Sequence, residues 1–388
     1  MGHHIGSKNS IVPLVDRLNK YPVGLVDNEK LRKILSLLFD EEEAFVASRF
    51  PLEEALLPEL TRLTKMPESQ LLPVLERMAD KGLIMDMPYA GKTYYLLLPG
   101  LIGFFEFTFM KNRADLPMAE VAKLMAEYMY ENPQTGQASE FFGSTTSLTR
   151  SLVYKDTIPV SSEVSSYEDA RQIIQDASFG AAGLCYCRHK KEHLDETCSK
   201  NAPVENICIS LGSAAKFMTR RGFAEQKSKE ELFAILDRAR EHNLTHITDN
   251  IRQRPSFICN CCSCCCELML GVQSGYHDGV AKTPFLAQID AHTCNGCGLC
   301  VRACNVEAIT SLVDGTCVKI DKSVCLGCGV CIPLCSQDAL SLTERSDRPL
   351  PPEKRKDMFR AILQEKGRLT PYVVNEIKKK VRKIFKSS

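Results

Sequence analysis

Two stretches of the sequence carry the same cysteine rhythm: CNGCGLCVRAC at residues 294–304 and CLGCGVCIPLC at residues 325–335. Every cysteine of the first stretch has a counterpart in the second at one constant offset, and two glycines and a preceding Ile-Asp pair repeat with the same offset. A constant offset over this many positions indicates an internal duplication. Three cysteines separated by two residues each lie on a tight loop that can turn three sulfurs towards one iron–sulfur cube, and the glycines let the backbone approach it closely.

The duplicated run resembles the bacterial-type two-cluster ferredoxin domain over about residues 283–342, with a hairpin turn expected at Asp314-Gly315. This resemblance implies electron transfer through two [4Fe–4S] clusters, with the fourth cysteine of each motif binding the cluster of the other motif. The implied ligands are Cys294, Cys297, Cys300 and Cys335 for cluster 1, and Cys325, Cys328, Cys331 and Cys304 for cluster 2. Two structural zinc sites are disfavoured, because zinc sites use paired CxxC motifs rather than runs of four cysteines.

Three positions of this region depart from the family or from the repeat. The family usually has proline after the fourth cysteine of each motif, whereas Asn305 and Ser336 stand there in this chain. We expect this change to loosen the turn and to affect cluster potential or solvent access without removing a ligand. Cys317 has no counterpart, because Leu286 stands at the equivalent position of the first half, and we expect Cys317 to be a small buried residue of the hairpin.

The composition restricts the class of protein. The chain has 388 residues, 44% hydrophobic and 25% charged, which fits two or three folded domains and excludes wholesale disorder. With 49 basic and 48 acidic residues, no overall charge selects nucleic acid or a membrane. We find neither a run of about 18 apolar residues nor a secretory signal. The 19 cysteines therefore predict metal or cluster ligands in the cytoplasm of an anaerobic cell, in preference to disulfides.

Ten further cysteines precede the repeat, and none of them lies before Cys185. They are Cys185, Cys187, Cys198, Cys208, Cys259, Cys261, Cys262, Cys264, Cys265 and Cys266. Neighbouring cysteines on a strand point to opposite faces, so the six in residues 259–266 cannot all bind one tetrahedral ion from regular structure. We expect additional cluster or redox thiols: ten suffice for two more cubes, or for one cluster and a reactive dithiol. Inert packing is the disfavoured alternative.

Basic residues and histidines follow the first two of these cysteines. Arg188, Lys190 and Lys191 can lower the pKa of nearby thiols and offset the charge of a cluster, or they can form an ordinary solvated turn. His189 and His193 are four residues apart and, together with the two preceding cysteines, make a rival zinc site. The CxxxCxxC pattern of radical-SAM enzymes and the glycine-rich nucleotide motifs are absent from the sequence.

The first hundred residues predict helices at 28–39 and 68–80, and then two strands at 83–87 and 93–98 around an Ala-Gly turn. This order resembles a winged-helix domain in which 68–80 is the recognition helix. That helix and its end carry three acidic residues against two basic ones. Phosphate contacts need the opposite charge, so we expect protein docking or dimerisation, and nucleic acid is the disfavoured partner.

The last segment is strongly basic. Residues 345–388 hold 14 Lys and Arg but 5 Asp and Glu, and an amphipathic helix is predicted from Thr370 onward. Such a helix binds an anionic membrane surface or an acidic partner, or it packs on an acidic part of its own chain.

The predicted fold is multidomain α+β. Its parts are a winged-helix-like domain at 1–100, a mostly helical connector at 101–180, a cysteine-rich α/β redox or cluster domain at 181–280, a ferredoxin-like dicluster domain at 283–342 and a basic helical tail at 345–388. The whole chain also resembles uncharacterised multidomain ferredoxin-like proteins of anaerobic bacteria.

The leading hypothesis is a cytoplasmic iron–sulfur protein, peripheral to the membrane if the tail binds lipid, that relays electrons between redox partner proteins and the cysteine-rich site. The sequence leaves open whether that site is a further relay or a catalytic centre, which would make the protein an iron–sulfur oxidoreductase. One alternative is a redox-responsive regulator in which clusters control the winged-helix front. Another is a carrier or maturation factor for iron–sulfur clusters.

Overall fold

The structure, a computed structural model, describes residues 7–159, 162, 165–347 and 350–370. The helices are α1 Ser7–Leu18, α2 Glu29–Leu38, α3 Glu41–Ser48, α4 Leu57–Thr64, α5 Glu68–Asp80, α6 Phe105–Thr108, α7 Met118–Tyr130, α8 Gln137–Phe142, α9 Ala170–Asp176, α10 Tyr186–Glu192, α11 Gly212–Arg220, α12 Lys229–Glu241, α13 Glu267–Gln273, α14 Leu299–Ala303 and α15 Arg355–Glu365. The strands are β1 Ala55–Leu56, β2 Ile84–Tyr89, β3 Lys92–Leu97, β4 Thr149–Ser151, β5 Gly180–Gly183, β6 Cys208–Leu211, β7 Ala224–Gln226, β8 Thr245–Asp249, β9 Phe257–Cys261, β10 Phe285–Ile289, β11 Ile309–Ser311, β12 Val318–Ile320 and β13 Leu340–Glu344. Within the described ranges, no helix has the length and apolar character that crossing a membrane requires.

The front of the chain (residues 1–100) combines helices α1–α5 with a three-stranded antiparallel sheet in the order β1-β3-β2. The helix predicted at 68–80 is confirmed as α5, and the predicted hairpin is β2 and β3. Ala90 and Gly91 both have positive φ, 49° and 74°, as a two-residue hairpin turn requires. The front therefore ends in a hairpin that follows its helices in chain order and shares their apolar core.

The acidic side of α5 is in contact with the middle of the chain. Arg221, just after α11, donates to Glu76 Oε2 at 2.8 Å and to Asp80 Oδ1 at 2.9 Å. The same guanidinium donates twice to the carboxylate of Asp86 on β2, at 3.2 and 3.0 Å. Burial alone would raise the pKa of Asp86, but hydrogen bonds from Arg221 and Arg220 outweigh burial and lower it. Two of the three acidic residues that disfavoured DNA binding, Glu76 and Asp80, are thus paired within the chain.

The middle segment (residues 181–280) is built on a six-stranded antiparallel sheet in the order β4-β8-β9-β6-β5-β7. The edge strand β4 lies within the stretch predicted as a mostly helical connector, and it pairs with β8 from Thr149↔Asp249 to Ser151↔Ile247. The sheet therefore extends across the predicted boundary at residue 180. A strand of three residues is too short to show a clear alternation of apolar and polar residues in the sequence. Its pairing with a strand about a hundred residues away is a tertiary contact, which the local sequence does not indicate.

The repeat segment (residues 283–342) folds as two interlocked halves. Strand β10 pairs with β13 through Ile289↔Leu340, and β11 pairs with β12 through Ile309↔Ile320. The offset that relates Cys294 to Cys325 also relates Ile289 to Ile320 and Ile309 to Leu340. In both strand pairs, the first strand of one half therefore pairs with the last strand of the other half. Each half thus supplies one strand to each strand pair, which brings the end of one motif beside the start of the other.

Two hydrophobic cores organise these parts. One joins the front to α7 and to Phe217 of α11, and the other is shared by the middle segment and the repeat segment, where Ile258, Phe285 and Leu326 all belong to it. Because burying apolar surface is the dominant favourable term in folding, a shared core fixes the two cysteine-rich segments against each other.

The described part of the tail packs on the body of the protein. Lys366 and Arg368 both contact Glu140 Oε1, at 2.8 and 2.7 Å, and Glu365 accepts hydrogen bonds from Thr146. The predicted amphipathic helix lies at 371–388, outside the described residues.

Candidate metal centres

Four cysteines of the repeat segment, hereafter the outer set, lie around one cavity. They are Cys294, Cys297 and Cys300 of the first motif and Cys335 of the second. Cys297 is exposed and Cys300 is buried. The structure thus brings the last cysteine of one motif to the three-cysteine loop of the other, and four thiols around such a space can hold one cube.

The other four predicted ligands, Cys304, Cys325, Cys328 and Cys331, form the inner set. Cys325 and Cys331 are buried, and Cys304 and Cys328 are half-buried. Burial raises the pKa of Cys328 to about 12, and the neighbouring Cys304 and Cys325 thiols add to the rise. A thiol that resists ionisation in this way becomes a thiolate when a metal ion supplies the compensating charge.

Backbone amides point at the sulfurs in the same way in both halves. The amide of Ala308 donates to Cys304 Sγ at 3.3 Å, and the amide of Ala339 donates to Cys335 Sγ at 3.3 Å. Hydrogen bonds to cluster sulfurs help to set the reduction potential. Cys304 and Cys335 occupy equivalent positions of the repeat and receive equivalent amide hydrogen bonds.

Six of the ten thiols of the middle segment, hereafter the six-thiol site, line a second cavity. They are Cys185, Cys187, Cys208, Cys259, Cys261 and Cys266, and Cys262 borders the same cavity. Cys259 and Cys261 are two residues apart on β9 and therefore face the same side of the sheet. Cys208 begins the adjacent strand β6, while Cys185 and Cys266 directly precede α10 and α13. Neighbouring strands and two helix starts thus converge on one space.

The thiols of this site influence one another. Hydrogen bonds with Cys187 and Cys208 hold the pKa of Cys185 well below its usual range, whereas burial raises the pKa of Cys187. Several buried thiols that face one cavity are the donor set that soft transition metals and iron–sulfur clusters prefer.

The remaining four cysteines of the middle segment, hereafter the four-thiol site, form a compact group. Cys198, Cys262, Cys264 and Cys265 have all their sulfurs within 4.8 Å of one another. Hydrogen bonds with the Cys262 thiol lower the pKa of Cys198 to about 5. Each site of the middle segment takes cysteines from both sequence groups, 185–208 and 259–266, so the structure regroups the ten thiols as six and four.

One of the predicted cations lies between the two sites. Arg188 is buried and donates to the carbonyl oxygens of Pro203 at 3.3 Å and Asn260 at 3.0 Å. Burial alone would lower the pKa of Arg188, but the thiols of Cys185, in one site, and Cys262, in the other, outweigh it and raise the pKa. Arg188 therefore offsets negative charge in both sites at once.

The other cations and the histidines have different contacts. Lys190 forms an ion pair with Glu267, and Lys191 pairs with Glu196 at 2.5 Å. His189 Nδ1 lies 2.7 Å from the carbonyl oxygen of Phe109, and the His193 ring also packs against Phe109. In the described ranges, the group of metal-binding side chains whose ligand atoms all lie within 4.8 Å of one another consists of the four cysteines above and includes neither His189 nor His193.

The asparagine that replaces the family's proline connects the repeat segment to the middle segment. Asn305 Nδ2 donates to the carbonyl oxygen of Asn243 at 2.8 Å and to Thr245 Oγ1 at 3.0 Å. Its own backbone carbonyl accepts from Gln273 Nε2 at 3.0 Å, and Gln273 also donates to Ser263 in the turn of the four-thiol site, at 3.1 Å. Proline has no side-chain donor and therefore could not form the two hydrogen bonds that Asn305 Nδ2 donates.

A lysine occupies the same junction. Lys200 Nζ donates to the carbonyl oxygen of Ala303 at 2.8 Å, one residue before Cys304 of the inner set. Burial lowers the pKa of Lys200, and the thiols of Cys262 and Cys304 partly oppose that effect. A positive charge therefore lies between the four-thiol site and the inner set. The sequence did not single out Lys200, Gln273 or Asn243, and the replaced proline was the one signal at this junction.

A protein-family model matches part of the chain. The 4Fe-4S binding domain (Fer4) matches residues 287–310, which contain the first cysteine motif, strands β10 and β11 in part and helix α14. No curated protein and no solved structure matches the chain. The chain thus contains a 4Fe-4S binding domain and a second, clustered population of cysteines, and it is an iron–sulfur protein.

Proposed function

We propose that this iron–sulfur protein transfers electrons, with the repeat segment holding two [4Fe–4S] clusters and exchanging electrons with the six-thiol site of the middle segment. The observation that carries the proposal is the junction at Asn305, where the inner set of thiols is fixed against the middle segment. Two cubes, each changing by one electron, supply relay chemistry when bound. In this proposal, the substrate or the final electron acceptor reacts at the six-thiol site.

The ligand assignment follows the crossed scheme. The outer set would hold cluster 1 and the inner set would hold cluster 2. The positions of the thiols support this assignment, because Cys335 lines the cavity of the first motif, and the Cys304 thiol lies near Cys325 and Cys328. The repeated strand pairing supplies the physical reason, since each half gives its last cysteine to the other half.

The exposure of the two sets supports an order of transfer. Cys297 of the outer set is exposed, so a redox partner protein can approach this set from solvent. The inner set is more enclosed and lies on the side of Asn305 and Lys200. We propose that electrons pass between the partner, the outer set, the inner set and the middle segment, in that order or its reverse.

We also propose that the front is a winged-helix-like docking element. The sheet order β1-β3-β2 and the hairpin after α5 support the winged-helix resemblance. Its would-be recognition helix binds Arg221 of the same chain, which supports a protein-docking role over a DNA-binding one. In this interpretation the front is attached to the middle segment through α11 and is not a regulator released by the clusters.

The test is rapid-freeze EPR of anaerobically purified protein that receives less than one electron per chain. In the wild-type protein we expect a signal from the repeat segment to decay while a signal from the middle segment grows. The Cys187→Ala/Cys266→Ala variant should lose the second signal and keep the first. The matched control is Cys317→Ala, which removes a cysteine that belongs to neither predicted ligand set. The proposal would be overturned if the middle segment accepted no electron at any potential that reduces the repeat segment.

A further inference from the structure

We propose that Cys198, Cys262, Cys264 and Cys265 bind a single metal ion, Zn²⁺ or Fe²⁺, as a mononuclear tetrathiolate centre. Its four cysteines are not among the six of the six-thiol site or the eight predicted cube ligands, although Cys262 also borders the cavity of the six-thiol site. It does not depend on the proposed electron transfer.

The sulfur–sulfur distances carry the proposal. Cys198 Sγ lies 3.7 Å from Cys262 Sγ and 3.6 Å from Cys264 Sγ, while Cys264 Sγ lies 3.7 Å from Cys262 Sγ and 3.6 Å from Cys265 Sγ. Four thiolates at about 2.3 Å from one tetrahedral ion are separated by about 3.8 Å. Four of the six sulfur–sulfur distances match that value and all six are within 4.8 Å, so a single ion can contact all four sulfurs.

A cube requires a different arrangement. Each thiolate of a [4Fe–4S] cluster binds a different iron at a corner of the cube, so the four cysteine sulfurs lie outside the cube and stand farther apart than its irons. The sulfurs of this site are all within 4.8 Å of one another, which leaves no room for a cube between them. The sulfurs of the six-thiol site and of the outer set, in contrast, line the walls of two pockets.

A disulfide does not account for the group either. A covalent sulfur–sulfur bond is about 2.05 Å long and joins one pair. Here all four short contacts measure 3.6 or 3.7 Å, and Cys264 contacts three partners rather than one. One sulfur with three thiol neighbours at nearly equal distances is the geometry of shared coordination.

The local chain explains how four sulfurs converge. Three of the cysteines lie on the turn between β9 and α13, where the chain reverses within five residues. The fourth comes from the loop that follows α10, and the next amide, of Ser199, donates to Cys264 Sγ at 3.3 Å. Cys262 and Cys265 are each 1% exposed, while Cys198 and Cys264 are half-buried. An ion can therefore enter from one side and then be enclosed by protein.

The principal test is spectroscopic and uses the intact, anaerobically purified protein. If the ion is zinc, zinc analysis should give one Zn per chain, and zinc-edge X-ray absorption should show four sulfurs at about 2.3 Å without metal–metal scattering. If the ion is iron, Mössbauer spectroscopy of ⁵⁷Fe-labelled protein should show one mononuclear tetrathiolate iron beside the cluster iron. Either result supports the proposal. Protein that contains neither component would overturn it.

A pair of variants tests which residues bind the ion. Cys198→Ala/Cys264→Ala should lose one metal ion per chain and no acid-labile sulfide, while Ser263→Ala, in the same turn, should keep the full metal content. Loss of about four irons together with sulfide would identify a cube and overturn the proposal. Unchanged metal content in the double variant would overturn it as well. The electron-transfer proposal is judged separately, by the EPR signals of the six-thiol site.

Discussion

The repeat segment and the middle segment hold almost equal numbers of cysteines, nine and ten, but they bring them together in different ways. In the repeat segment, three ligands of each predicted set come from one short loop and one comes from the equivalent loop. In the middle segment, residues from Cys185 to Cys266 meet only after strands β5, β6 and β9 have paired. The first arrangement is local and duplicated, whereas the second is made by the sheet. We therefore expect a single substitution in the repeat segment to affect one site. A single substitution in the middle segment should affect the sheet on which both of its sites depend.

The largest expected effect separates the outer and inner sets. Cys304→Ala and Cys335→Ala change equivalent positions, and each should remove about four irons. If the ligands cross as predicted, Cys304→Ala leaves the outer cluster, which has the exposed Cys297, and Cys335→Ala leaves the enclosed inner cluster. The cluster that remains in Cys304→Ala should therefore be lost faster to a chelator or to ferricyanide, as followed by absorbance.

Cys317→Ala is the control for this pair, and it should retain both clusters. Equal rates of loss in the two variants, or faster loss in Cys335→Ala, would contradict the crossed assignment and the difference in exposure on which it depends.

A smaller effect, on stability, is expected from Gly296 of the first cysteine loop, with Gly315 of the hairpin turn as its control. Gly296 has φ of +69°, and a Cβ there would lie 1.9 Å from the carbonyl oxygen of Gly315, which is backbone and cannot move aside. Gly315 also has φ of +69°, but a Cβ there meets no atom within 4 Å. Gly296→Ala should therefore destabilise the holo-protein by about 3 kcal/mol or more, and Gly315→Ala by about 1 kcal/mol. Anaerobic denaturant titration, followed by cluster absorbance, measures both. Equal destabilisation would show that the loop is not held as tightly as the structure indicates.

The smallest effect concerns the junction between the two segments. Asn305→Ala removes two hydrogen bonds from a buried amide and should lower the free energy of unfolding by about 2 kcal/mol. Ser336→Ala, at the equivalent position of the second motif, changes an exposed side chain and should have an effect within about 0.5 kcal/mol. The same denaturant titration distinguishes them. If both variants were equally stable, Asn305 would not be the residue that fixes the repeat segment against the middle.

Several features could be predicted because they depend on neighbours in the chain. The helix at 68–80 and the hairpin around Ala90-Gly91 follow from hydrophobic spacing and from the positive φ that the turn needs. The match of a 4Fe-4S binding domain at 287–310 agrees with the first cysteine motif. The edge strand β4 was not predicted, because a strand of three residues leaves no clear hydrophobic period.

The sequence by itself determined that the chain carries a duplicated cysteine motif and a second population of cysteines, since spacing and offset are properties of the chain. Only the tertiary structure decided how the ten cysteines of the middle segment divide. Cys198 and Cys264 are far apart in the chain but have sulfurs 3.6 Å apart, while Cys261 and Cys264 are near neighbours in the chain and belong to different sites. Side chains along a strand alternate between its faces, and the turn after β9 then redirects the chain, so adjacency in sequence does not fix which metal a sulfur can reach.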